Sequence, residues 1–452
     1  MATPRKPNDR LAAAMAAAGL TFEALARATR AVAAESGVRL GTSRSAVHAW
    51  VTVGAIPAGS TPFYVAEALS RKLGRPVTVA EIGLGEDTSA NLILLSPVVA
   101  ATELGRLLVH NRRDFLALGF SAAAVLAPLT FDPQAAAATL YAAAPGRRVG
   151  ATEVAAVRQF TDTFRSSDEL LGGGHSLAVS AVFLSDVVAP MLGGAFPNGQ
   201  VRHDAFEAAA ALATLVGFKC HDAGREGAAQ RHYQFAFRLA CEADPAGQAA
   251  WTMRALAHQA LDLGHPAGTV DLAEAALARA HGRIDRRTEA LLLITAARAH
   301  GASGNPTAAS ALIIAAQDAA LTDTDNLPAY AAAAGPTAAV VASHTGRTLT
   351  EMGDHAAAER HYRAALTERT ETAYRRSRAL TLANIGRAVA AQNRHEEAVD
   401  LLNRSVDLMD GVDSHRAHRE LDRLRPVLAM YARRGIRGAA DLAHRAAQLT
   451  AA

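Results

Sequence analysis

Cysteine is nearly absent: Cys220 and Cys241 are the only two thiols in 452 residues. They cannot build a disulfide framework, and they fit a reducing compartment. Aromatic residues are scarce at 5%, and Val, Ile, Tyr and Phe are thin beside alanine. Strands favour those thin residues, whereas Ala and Leu suit closely packed helices, so an all-β protein is excluded. Half the chain is hydrophobic, which excludes global disorder. Long apolar runs are missing too. Leu11 to Leu20 is mostly alanine, and Glu23, Arg27 and Arg30 follow at helical spacing. That pattern reads as an amphipathic helix rather than a signal peptide. Asn111 to Leu129 looks like a twin-arginine export signal, but a whole basic module precedes it and Ser121 and Pro128 interrupt it. Its apolar part falls short of the ~20 residues that a bilayer needs. A cytoplasmic chain with no membrane contact is expected.

Enzymatic motifs are also lacking. No GxxxxGK[ST] loop, HExxH or CxxC occurs, and GLGED at Gly83 has no strand before it. The 17 histidines are scattered, and His415 and His418 lie on a charged, solvated helix. Cys220 adjoins His221 without a base or an oxyanion arrangement. Neither an enzyme, a metal site nor a cofactor is expected.

Charge is present but unevenly spread. Residues 1 to 78 hold ten Lys/Arg against four Asp/Glu, a balance of +6, leaving 36 basic and 39 acidic residues for the rest. A basic head on a slightly acidic body suggests a polyanion-binding module on a scaffold.

The head reads as five short helices: Asp9 to Ala18, Thr21 to Glu35, Arg44 to Val51 behind the cap Thr42–Ser43, Pro62 to Gly74, and Thr78 to Leu84. Proline in a first turn and glycine past the end mark the fourth. The segments GLTFEALA, TSRSAVHAWVTVGAIP and AEALSRKLGRPVTVAEIGL resemble the repressor-like helix-turn-helix modules called XRE-type. The resemblance implies binding to double-stranded DNA with the third helix in the major groove. It makes Arg44, Ser45 and His48 base readers and sets Thr42, Ser43 and Thr52 near phosphates, with Ala46, Val47, Trp50 and Val51 packed inward. An arginine can contact guanine through two hydrogen bonds, and hydroxyls at a helix start suit phosphate. One departure is plain: sixteen residues separate Ala26 from Ser43, where compact members have about five, so the second helix or its turn is lengthened. A protein-interaction module is the alternative use of the same helices.

The body carries a beat. Turn residues Gly224, Gly264, Gly304, Gly353, Asn393 and Gly435 recur at intervals of 40, 40, 49, 40 and 42. Five residues after each lies Ala229, Thr269, Ala309, Ala358, Ala398 or Ala440, and twelve after lies Ala236, Ala276, Ala316, Ala365, Ser405 or Ala447. Seven before lie Gly217, Ala257, Ala297, Gly346 and Gly386, while Leu428 breaks the series. Small residues at a fixed beat mark antiparallel helix pairs in close approach, hence a solenoid. HDAGREGAAQRHYQFAFRLACEAD and LTEMGDHAAAERHYRAALTE resemble the tetratricopeptide (TPR) pattern. The repeats exceed the usual ~34 residues, so helices or connections are extended. Val157 to Leu192 reads as a further pair, broken at Gly172–Gly173–Gly174, that caps the array.

The expected fold is all-α, an N-terminal helix-turn-helix domain followed by a C-terminal TPR-type α-solenoid. The expected domains are residues 1–84, a connecting helix with an alanine-rich linker over 85–150, and repeats over 151–452. RRDFLALG, LLGGG, GFKCHDAGREGAAQRHY and ALAHQALDLGHP extend the likeness. Most of the chain resembles actinobacterial transcriptional regulators that join an XRE-type head to a TPR body. That implies a DNA-binding regulator, and repressor-like heads that read two half-sites imply a homodimer. In TPR proteins the residue after the small inner one faces the groove; here it is Phe218, His258, Arg298, Arg347 and Arg387. Trp251, Arg254 and His221 lie close by in the same repeats. Such a row would attract a peptide, small molecule or protein effector bearing an anion. Alternatively, each arginine pairs with an acid and closes the groove. A non-enzymatic TPR scaffold making protein contacts alone is the rival to the regulator.

Overall fold

The computed structural model describes residues 6–35, 38–59, 61–75, 77–85, 148–266, 268–322, 327–370 and 373–451, with positions 100, 104, 125 and 128. Among these residues there is no strand, only one isolated bridge between Arg148 and Ala195, and the chain is all-α. The expected connecting helix, the alanine-rich linker and the export-like segment lie outside the described residues, apart from isolated positions. No single described helix is long and apolar enough to cross a membrane. The chain divides into two compact units, Met1–Arg158 with Ala178–Leu272 and Gln159–Leu177 with Ala273–Ala452.

The first unit opens with four helices: α1 (Asp9–Ala17), α2 (Phe22–Glu35), α3 (Arg44–Thr52) and α4 (Thr61–Leu73). Their core is Leu11, Met15, Leu25, Val47, Trp50, Val65 and Leu69, with Ala46 and Val51 packed at its edge. The inward stripe expected of α3 is therefore the one formed. Asn8 closes the module. Its Oδ1 accepts from Leu11 N at 3.0 Å, while its Nδ2 donates to Ile82 O at 2.9 Å and Gly83 O at 3.1 Å. The expected fifth helix is instead a turn over 79–85, because Gly83 and Gly85 adopt positive φ before a second helical turn can form. The insertion between α2 and α3 is shared between a 14-residue α2 and a segment, 38–43, without regular secondary structure.

After α5 (Ala151–Leu171) come α6 (Leu177–Val182), a π-helical turn (Phe183–Val188) and α7 (Ala189–Leu192). Six helix pairs follow. In chain order they are α8 (Gly199–Asp222) and α9 (Glu226–Ala243), α10 (Gly247–Asp262) and α11 (Thr269–Ala280), and α12 (Arg286–Ala302) and α13 (Pro306–Ala320). A short α14 (Ala329–Ala332) precedes α15 (Thr337–Glu351) with α16 (His355–Thr367), α17 (Arg375–Ala391) with α18 (His395–Met409), and α19 (His415–Arg433) with α20 (Ala439–Ala451). Extra repeat length resides partly in long helices, of which α8 spans 24 residues, and, in the 49-residue interval, in the connection that carries α14.

Every expected turn residue adopts a left-handed backbone, from Gly224 at φ 73° to Asn393 at 63° and Gly435 at 72°. Glycine reaches that conformation without steric cost, and asparagine is the side chain that best tolerates it. Ala229, Thr269, Ala309, Ala358 and Ala398 are all fully buried. The sixth pair departs by one residue. Gly438 adds a second left-handed turn at φ 77°, so Ala439 and Ala446 are buried in place of the expected Ala440 and Ala447.

The small inner residues let the paired helix approach. A Cβ on Gly217 would lie 2.7 Å from the Tyr233 ring, and one on Gly346 would lie 2.7 Å from Tyr362. Gly346→Ala should therefore destabilise the second unit by about 1–3 kcal/mol through overpacking. Urea unfolding followed in the full chain checks this, with Gly346→Ala/Tyr362→Leu recovering part of the loss. Equal stability of Gly346→Ala and the parent would refute the close approach.

The expected cap behaves differently from a terminal pair. Gly172 follows α5 at φ 92° and packs on the backbone of Asp413, ahead of the sixth pair. Asp413 N donates to Leu171 O at 2.8 Å, and Gly174 N donates to Asp413 O at 3.0 Å. Residues 159–177 thus belong with the last repeats of the second unit rather than capping the first.

Candidate functional site

Helix α3 begins at Ser43, whose Oγ accepts from Ala46 N at 3.2 Å and lies 2.9 Å from Ser45 Oγ. Val47 and Trp50 are buried, while Arg44, Ser45, His48 and Thr52 are exposed on the opposite stripe. Arg44 makes no ion pair or hydrogen bond with any described residue. The Thr52 hydroxyl donates to His48 O at 2.8 Å and lies 3.3 Å from His48 Nδ1. His48 also meets Phe22 edge-to-face, with ring centroids 5.4 Å apart. Thr42 departs from expectation: it is buried, and its carbonyl accepts from the Arg30 guanidinium. The face is therefore Arg44, Ser45, His48 and Thr52, with Ser43 capping it and Thr42 withdrawn.

The expected groove residues fall into two sets. In the first unit, Phe218 and His258 are half-buried, while Trp251 and Arg254 are buried, with the Arg254 guanidinium 4.5 Å above the Trp251 ring. His221 is not a groove ligand. It is buried, Nδ1 donating to Glu226 Oε2 at 2.8 Å and Nε2 to Asp262 Oδ2 at 3.3 Å. Gln259 Nε2 bonds the same Glu226 oxygen at 2.8 Å. Burial would depress the His221 pKa, but Glu226 and Asp262 outweigh it and lift the imidazole to about 9. His232 shows the reverse: burial dominates and pushes its pKa down to about 4. Burial also raises the Cys220 thiol to about 12, so the cysteine beside His221 is not a nucleophile poised for reaction.

In the second unit, acids lie against the expected arginines Arg298 and Arg387. Arg298 is buried with Nε 4.0 Å from Glu351. Arg387 is half-buried, donating to Asn384 Oδ1 and pairing with Glu420 Oε1 at 2.8 Å. Arg347 is half-buried and, with Arg387 and Glu351, acts on Tyr362. Burial raises the Tyr362 phenol, although Thr350 and the two arginines oppose the shift. Arg369 lies within range of Arg347 and Glu169; burial lowers its pKa, and Arg347 adds to that. The geometry supports closure by acids at Arg298 and Arg387.

Sequence reasoning missed the Glu226–His221–Asp262 clamp, although Asp262 follows His221 by 41 residues, close to one repeat interval. It also missed Arg376. This buried arginine donates to Asp168 O at 3.1 Å, Asp168 Oδ2 at 2.8 Å and Glu169 Oε1 at 2.9 Å. Ser377 Oγ donates to Glu169 Oε2 at 2.9 Å. No sequence signal links residues 208 apart.

Residues 337–410 match the family model for the tetratricopeptide repeat, covering the fourth and fifth helix pairs. Repeats of that class suggest protein–protein interaction. Residues 11–85 match the model described as the SP15 N-terminal domain, which is not an XRE-type assignment. No curated protein matches the chain.

Proposed function

We propose that the chain is a DNA-binding transcriptional regulator, without enzymatic activity, whose repeats receive a peptide, small-molecule or protein effector. The observation that carries the reading is the exposed outer face of α3. Arg44 stands at its first turn without a partner among the described residues, beside exposed Ser45 and His48. The positive end of a helix, an arginine and hydroxyls suit a duplex edge, and the +6 balance of residues 1 to 78 supplies long-range attraction. A homodimer presenting two such heads follows from the half-site geometry of this helix arrangement.

Arg44→Ala in the full chain should cost ~1–3 kcal/mol at a preferred site and relax the base preference there. Titration against duplexes that differ at single base pairs reads both effects. An unchanged preference would contradict the role of Arg44. The scaffold reading has its own support in Val53 and Ile56, which are 52% and 66% exposed beside α3 and would suit a protein partner. Under that reading the head would ignore DNA at every salt concentration.

A further inference from the structure

Helix α4 is buried further round than the core of the head requires. Tyr64 through Ser70 are seven consecutive buried residues, which at 3.6 residues per turn cover the whole circumference of the helix. A helix serving only the head would leave one stripe in water. Part of the cover is the turn between α10 and α11, where buried His265 presents Nε2 to Glu67 Oε1. Both residues lie in the first compact unit.

Glu67 is 2% exposed, and Arg71 and His265 converge on one of its carboxylate oxygens. Arg71 Nε donates to Oε1 at 2.8 Å from within α4, and His265 reaches the same Oε1 across the junction. Glu67 Oε2 is buried with no hydrogen-bond partner among the described residues. A buried carboxylate oxygen left without a partner is costly. If α4 separates from the turn, Glu67 loses His265 but keeps Arg71 on Oε1, because Arg71 lies in the same helix.

The turn is firmly held on the repeat side. His265 N donates to Ala260 O at 2.9 Å, and Asp262, three residues earlier, grips His221. We infer that Glu67 and His265 form a latch that seats the head on the second repeat turn, and that the head can leave this seat as a unit while the repeats stay folded. The inference does not depend on what the head binds.

Hydrogen–deuterium exchange on the full chain tests it. In His265→Ala, peptides covering α4 should exchange at least tenfold faster, while those covering α9 stay as in the parent. Glu67→Gln, which keeps the shape but loses the charge, should give a smaller acceleration in α4 only. Unchanged α4 exchange in both variants would overturn the latch. Equal acceleration in α4 and α9 would also overturn it, because the contact would then belong to the stability of the repeats.

Discussion

Arg376→Ala is expected to destabilise the second unit by roughly 3–5 kcal/mol, the cost of leaving buried charge without its partner. The arginine side chain is 2% exposed and that of Asp168 is 3% exposed, so water cannot replace the lost donors. Three acceptors on the end of α5 receive hydrogen bonds from this one guanidinium. Arg376→Lys should recover only part of the loss, because an ammonium cannot reproduce the planar set of donors. Chemical denaturation of the three proteins provides the comparison. A loss below 1 kcal/mol for Arg376→Ala would mean that residues 159–177 are held by other contacts.

The second large effect is a stability maximum near neutral pH. His221 in its carboxylate clamp has a folded pKa of about 9, above the ordinary value of 6.5. The folded chain therefore keeps a proton that the unfolded chain releases, and this stabilisation is full below pH 6.5 and lost as pH rises through 9. The two values correspond to on the order of 3 kcal/mol. His232, at about 4, has the opposite sign. It is kept neutral where the unfolded chain would protonate, so its contribution is complete above pH 6.5 and lost as pH falls toward 4. Urea unfolding at pH 5, 7 and 9 should give the highest stability at pH 7. His221→Asn should flatten the alkaline limb specifically, and an alkaline limb unaltered in that variant would exclude the clamp as its source.

Much of the architecture was legible because it is periodic. Left-handed turn residues and small inner residues recur wherever two helices must reverse and approach, so Gly224, Gly264, Gly304, Gly353 and Asn393 could be set in register without coordinates. The register slipped only in the sixth pair, where Gly438 inserts a second reversal. The inward stripe of α3 was legible for a similar reason, since Val47 and Trp50 repeat at helical spacing. Thr42 was misjudged because its burial depends on Arg30, twelve residues away in α2. The groove resisted sequence reading for the same physical reason. Glu351 and Glu420, which partner Arg298 and Arg387, lie 53 and 33 residues further along, at no common position in the repeat. Charge pairing between repeats depends on side-chain geometry, which small-residue periodicity does not encode.

The central claim is that α3 presents Arg44, Ser45 and His48 to a DNA duplex, and selection from a random duplex library by the full chain tests it most directly. At low and at physiological salt, one sequence motif should be enriched, with affinity falling steeply as salt rises. The Arg44→Ala protein should retain binding but lose the preference at a single base position. No enrichment over the starting library, or binding indifferent to salt, would contradict the account and leave the head as a protein-docking module.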